Sequence, residues 1–141
     1  MFRPTPRVVE ALRSLVDEAT LDAALTARRP DLTDVLLACA REHRDLPRVL
    51  TAACTRAACR RLGELHGGHA IEVRVPPHAA VQLGFGSGPR HTRGTPPNVV
   101  ELAPETFLDL VTGRVAWDDA KADVRASGAH AHDVARAFPL G

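Results

Sequence analysis

An α+β domain is the fold class this sequence predicts, with an antiparallel sheet covered by helices and preceded by an N-terminal helical extension. Three observations carry that expectation. Apolar residues recur at helical spacing between residues 5 and 66. After Gly67-Gly68 the period drops to two, with Ile71, Val73 and Val75 alternating against Glu72 and Arg74. Helical spacing then returns at Pro104 and is followed by one more short strand. The 141 residues suit one domain with a helical appendage, here divided into residues 1–45 and 46–141.

Thr5 can cap a first helix with Pro6 at its first position, and Val8, Leu12, Leu15, Val16 and Ala19 give it an apolar stripe. A short turn of helix is expected around Asp22 to Arg28, stopped by Pro30. Asp31 can cap the next helix, with Leu32, Val35, Leu36, Cys39 and His43 on one face. Asp45 and Pro47 announce a longer one whose stripe is Leu50, Cys54, Ala57, Ala58, Leu62 and Leu65. Arg48, Arg56, Arg60 and Arg61 fall mostly off that stripe and read as a solvated face.

Pro76-Pro77 ends the first strand. Ala79, Val81, Leu83 and Phe85 alternate with Ala80, Gln82 and Gly84 as a second, its antiparallel neighbour. Residues 84–98 are rich in glycine and proline and read as loop or strand edge. Val99, Val100 and Leu102 form a third strand. Pro104 opens a helix whose Phe107, Leu110 and Val111 share a face, with Gly113 just past its end. Trp117 to Asp123 is a further short helix, with Asp118 and Asp119 at its N-terminal end. Val124 to Ser127 is a last strand, Gly128 a turn, and residues 131–138 a final helical turn.

Composition narrows the function. A net charge of +1 and 4% aromatic residues, with no tyrosine, argue against nucleic acid, which needs a basic surface or stacking platforms. Three cysteines without a CxxC argue against a disulfide framework or zinc knuckle. No apolar run approaches the ~20 residues of a membrane span, and the first ten residues lack the apolar core of a signal peptide. A cytoplasmic protein without cofactor is the expectation.

Between residues 70 and 140 the strings IEVRVPPHAAVQ, HTRGTPPNVVEL, PETFLDLVTGRVAWDDA and RASG, and the terminal PL, form an unusual series. It resembles the bacterial sterol-carrier-protein orthologue family, a set of small actinobacterial proteins. It is also similar to the carrier-type C-terminal domain of some mycothiol-dependent isomerase-like proteins. The resemblance implies helices over one face of a sheet and, between the layers, an apolar cavity. In the wider superfamily such a cavity holds sterols, fatty acids or acyl-CoA-like molecules.

Candidate site residues follow. On the resemblance, the cavity would be lined by Val73, Val75, Val81 and Leu83 of the sheet, with Phe107, Leu110, Val111 and Trp117 above it. Arg74, Arg90, His91 and Arg93, with Glu101, make a polar cluster that would grip an anionic head group or else pin the loop through pairs with Glu72 and Glu101. GFGSG lacks the following helix start and Lys-Ser/Thr pair of a phosphate loop. His66 with His69, and His130 with His132, are incomplete as metal sites. Ser87 is not in a nucleophile elbow, and Cys54 lies on a buried stripe. Nothing converges on catalysis. The reading is therefore a non-catalytic module sheltering an apolar, lipid-like or acyl molecule. Its rivals are an interaction or oligomerisation module with a filled core, docking a partner or second copy through the N-terminal helices, and an accessory to a low-molecular-weight-thiol enzyme.

Overall fold

The computed structural model describes residues 1–85 and 96–140. Helix α1 (Pro6–Arg13) starts as expected after Thr5, although the Thr5 hydroxyl makes no capping bond. The predicted stripe through Ala19 is interrupted at Ser14, because Asp17 offers a better local structure. Its carboxylate accepts the Thr20 N–H and hydroxyl, both at 3.1 Å, and so starts α2 (Glu18–Thr26). Asp31 works similarly one step outside α3 (Thr33–Glu42). Its Oδ1 accepts the Thr33 hydroxyl at 2.6 Å, the Thr33 N–H at 3.0 Å and the Phe2 N–H at 2.8 Å. Partial burial works to raise the Asp31 pKa. The Thr33 hydroxyl, the N–H groups of Phe2 and Thr33 and the terminal ammonium outweigh it and hold the carboxyl at about 2.

Helix α4 (Arg48–His66) is the longest element. Strands β1 (Gly67–Val75) and β2 (Ala79–Leu83) form the expected antiparallel pair around the Pro76-Pro77 turn. The glycines serve a close approach here, since a Cβ on Gly68 would stand 2.7 Å from the Gly84 backbone. Strand β3 (Asn98–Glu101) pairs with β1 in parallel, and β4 (Arg125–Ser127) is antiparallel to β3, giving the order β2-β1-β3-β4. The sheet is thus mixed, a correction to the wholly antiparallel expectation. The reason is local: Leu83 and Asn98 both stand opposite Ile71. The connection from β2 leaves and re-enters at the same end of the sheet, so β3 must run in the direction of β1.

One sheet face carries Ile71, Val73, Val75, Leu83 and Val100, all 1% exposed or less, and α4 packs over its β1–β2 half. The alternate residues Glu72, Arg74, Gln82, Val99 and Glu101 point the other way and are partly exposed. Helix α5 (Pro104–Thr112) ends at Gly113, whose φ of 77° is the left-handed C-cap that glycine accepts without strain. Helix α6 (Trp117–Ala120) continues into a 3₁₀ turn, and Ala131–Ala137 is a second 3₁₀ segment.

Residues 1–45 share the core. The buried apolar residues form one cluster from Val8 to Leu140. Arg114, just after α5, donates to Asp109 Oδ1 at 3.0 Å and to the Ala40 carbonyl at 2.9 Å, so it joins α5 to the C-terminal end of α3.

Candidate functional site

Six of the eight expected binding residues lie among the described residues, and they do not form one site. Leu83, Phe107 and Val111 are buried, at 2% exposure or less, among the side chains that join sheet and helices. Val81 is half-buried beneath α4 at Gly63, where a glycine Cβ would come within 3.2 Å of Val81 Cγ2. Arg74 lies on the other sheet face, its guanidinium bound to Glu72 Oε2 at 2.7 and 2.9 Å. His91 and Arg93, like Arg90, lie outside the described residues.

Three of the eight do gather. Phe107 and Val111 are one turn apart on α5, and Trp117 opens α6. The C-terminal segment binds them together. The Phe138 ring stands edge-on to Phe107 at 6.3 Å and stacks on Trp117 at 6.4 Å, and the Leu140 N–H donates to the Val111 carbonyl at 2.8 Å. Trp117 and Phe138 are only half-buried, so this aromatic cluster forms a rim between the core and solvent.

A cleft of about 490 Å³ lies elsewhere, between α1, the N-terminal half of α4 and the β1–β2 turn. Arg7, Arg48, Arg56 and His78 line it, together with Thr5. Val8, Val49, Ala52 and Pro77 supply its apolar surface. The site escapes a linear reading because its arginines come from helices forty residues apart; only the spacing of 48, 52 and 56 along one face of α4 hints at it. His78 is held below the ordinary histidine range by burial and by the nearby Arg56 and Arg48, against an opposing pull from Glu105. A second hollow lies between Met1–Pro4 and Arg29-Pro30. Neither hollow is lined by the sheet and α5 residues expected to enclose a ligand.

The three thiols are buried and protonated at neutral pH. Burial pushes Cys39 to about 11, helped by Glu42, and pushes Cys54 and Cys59 to about 12, with Cys39 adding to the effect on Cys54. The histidine pairs disperse into local contacts. His69 Nδ1 meets Gln82 Oε1 at 3.0 Å, the His66 ring lies 5.3 Å from Phe85, and His130 Nδ1 lies 3.7 Å from Asp133. No helix among the described residues is long and apolar enough to cross a membrane.

Fold and sites together define an α+β domain with helices over one sheet face, an aromatic rim at α5–α6 and a basic cleft at α1–α4. A family model described as "Bacterial SCP ortholog" matches residues 47–140, and the chain belongs to that family. The matched span covers α4, the whole sheet and every element after it, and leaves out α1 to α3. Among curated proteins, none matches the chain.

Proposed function

We propose that this protein is a non-catalytic carrier-type domain that takes up an apolar, lipid-like or acyl molecule between the sheet and the helices, entering beside Trp117. The observation that carries the reading is the family match over residues 47–140. The aromatic rim supports the place. Phe107 and Val111 are buried expected lining residues, and Phe138 and Leu140 of the C-terminal segment pack on them. A ligand carbon chain displacing that segment would gain about 25 cal/mol for each Å² withdrawn from water.

Trp117 is the single tryptophan, so its emission reports on the site directly. Titration with fatty acids and a sterol should shift or quench it saturably, and native mass spectrometry of the same samples should show one adduct per chain. Freshly purified protein should also release an acyl or isoprenoid molecule into solvent extract.

A second reading has one observation in its favour. Val73, Val75, Leu83 and Phe107 are fully buried among the protein's own side chains, as in an interaction module with a filled core. An apo mass with no uptake from the panel, together with a concentration-dependent dimer or captured partner, would replace the carrier reading with this one.

A further inference from the structure

We infer that the cleft between α1, α4 and the β1–β2 turn binds a small phosphorylated molecule through Arg7, Arg48 and Arg56. The cleft shares no residue with the aromatic rim, so this site is separate from the proposed apolar one.

Three arginines without a nearby carboxylate converge on this one cleft. Arg44, Arg61, Arg74, Arg114 and Arg125 each have a carboxylate within 4.0 Å. Among the described residues, Arg7, Arg48 and Arg56 have none, yet they line one hollow. Like charges gathered around a concave surface oppose one another unless an anion stands between them, and guanidinium groups bind phosphate oxygens in a bidentate manner. Three positive charges suit the two or more negative charges of a phosphate monoester or a pyrophosphate better than a single carboxylate. His78, which lines the same cleft, is held below its ordinary range first by burial and then by Arg56 and Arg48, with Glu105 pulling the other way.

The backbone adds to the same field. Helix α4 begins after Pro47, which offers no side-chain cap to its first N–H groups, and Arg48 and Val49 of that first turn line the cleft. An anion there would meet the positive end of a 19-residue helix. Val8, Val49, Ala52 and Pro77 leave an apolar wall for the organic part of the ligand, and the volume lies within the usual range of small-molecule sites. The site also gives the N-terminal helices a role. Arg7 and Thr5 come from outside the family-matched span, and Arg48, Arg56 and His78 from within it.

The test is calorimetric titration of the full chain at low ionic strength with inorganic pyrophosphate and with phenyl phosphate. His78 ring resonances are followed by NMR to locate the site. Saturable binding of both probes is expected, with the His78 signals moving. Arg7→Gln and Arg56→Gln should each weaken binding about tenfold. Arg56→Lys should fall between Arg56→Gln and the parent, and Arg60→Gln, on an exposed arginine outside the cleft, should change nothing. Circular dichroism and thermal melts should show all four variants folded, as expected for exposed side chains. Absence of binding by the parent protein would overturn the inference. So would an equal loss in Arg60→Gln, or binding that leaves His78 unmoved. Vesicles containing phosphatidic acid form the last arm. Binding to these without binding of the soluble phosphates would replace the small-molecule site with a lipid-surface site.

Discussion

The side chain of Asn98 accepts the backbone N–H of His130 through Oδ1 at 2.9 Å while its Nδ2 donates to the Ala70 carbonyl, also at 2.9 Å. A single buried carboxamide, 4% exposed, thereby joins β1 to the turn that follows β4. Asn98→Ala would take these partners from the Ala70 carbonyl, which is only partly shielded from water, and from the His130 N–H. The expected loss is about 1–3 kcal/mol in urea-induced unfolding. An unchanged midpoint would mean that water replaces the carboxamide.

Gly128 stands against that same asparagine. With φ at 108°, its backbone is one that side chains rarely adopt, and a Cβ would collide with Asn98 Oδ1 and stand 2.6 Å from the Pro97 carbonyl oxygen. Gly128→Ala should therefore destabilise more than Gly113→Ala. At Gly113 the φ is 77° and the nearest obstacle, Pro139 Cβ, lies at 3.2 Å. The cost at Gly113 is expected at about 1–2 kcal/mol, and that at Gly128 should exceed it when both variants are melted side by side.

The Asp31 carboxyl links stability to acid pH. Its folded-state pKa of about 2 is below the ordinary 3.8, so the folded form favours the carboxylate. That contribution is fully present above about pH 4 and disappears as pH falls through 2. Asp31→Asn should flatten this part of the stability–pH curve, read from thermal melts between pH 2 and pH 5, so that the parent's advantage over the variant is greatest at the upper end and shrinks as pH falls.

Thr55, fully buried in α4, is the one buried side chain among the described residues whose polar atom lacks a hydrogen-bond partner. A hydroxyl taken from water without a partner costs on the order of 1–3 kcal/mol. Thr55→Val keeps the branched shape and removes the oxygen. The variant should melt at the same temperature as the parent or higher. A clear fall would show that the hydroxyl is bonded in solution.

Much of the fold is written locally and so is legible in sequence. Pro104 and Gly113 bracket α5, the alternation from Ile71 to Val75 sets the buried face of β1, and Gly128 makes its turn. What the pattern hides is settled between distant residues. The break at Ser14 follows from Asp17 bonding Thr20, a polar competition that apolar periodicity does not register. The parallel pairing of β1 and β3 depends on where Leu83 and Asn98 meet Ile71. The apolar rim is partly visible, because Phe107, Val111 and Trp117 are neighbours in sequence, yet the covering role of Phe138 is not. The basic cleft shows in one dimension only as the shared face of residues 48, 52 and 56: its arginines look like solvated helix faces until α1 is laid against α4.

Helix α4 has α1, α3 and α5 and strands β1 and β2 packed on it, with small residues such as Ala53, Ala57 and Ala58 letting them approach, and keeps one exposed edge at Arg48, Arg56, Arg60 and Glu64. It serves two assemblies at once, the N-terminal helices and the sheet. Neither can come away without stripping cover from the other, so the chain should unfold in one cooperative step, and the central amide hydrogens of α4 should exchange with solvent only when the whole molecule opens.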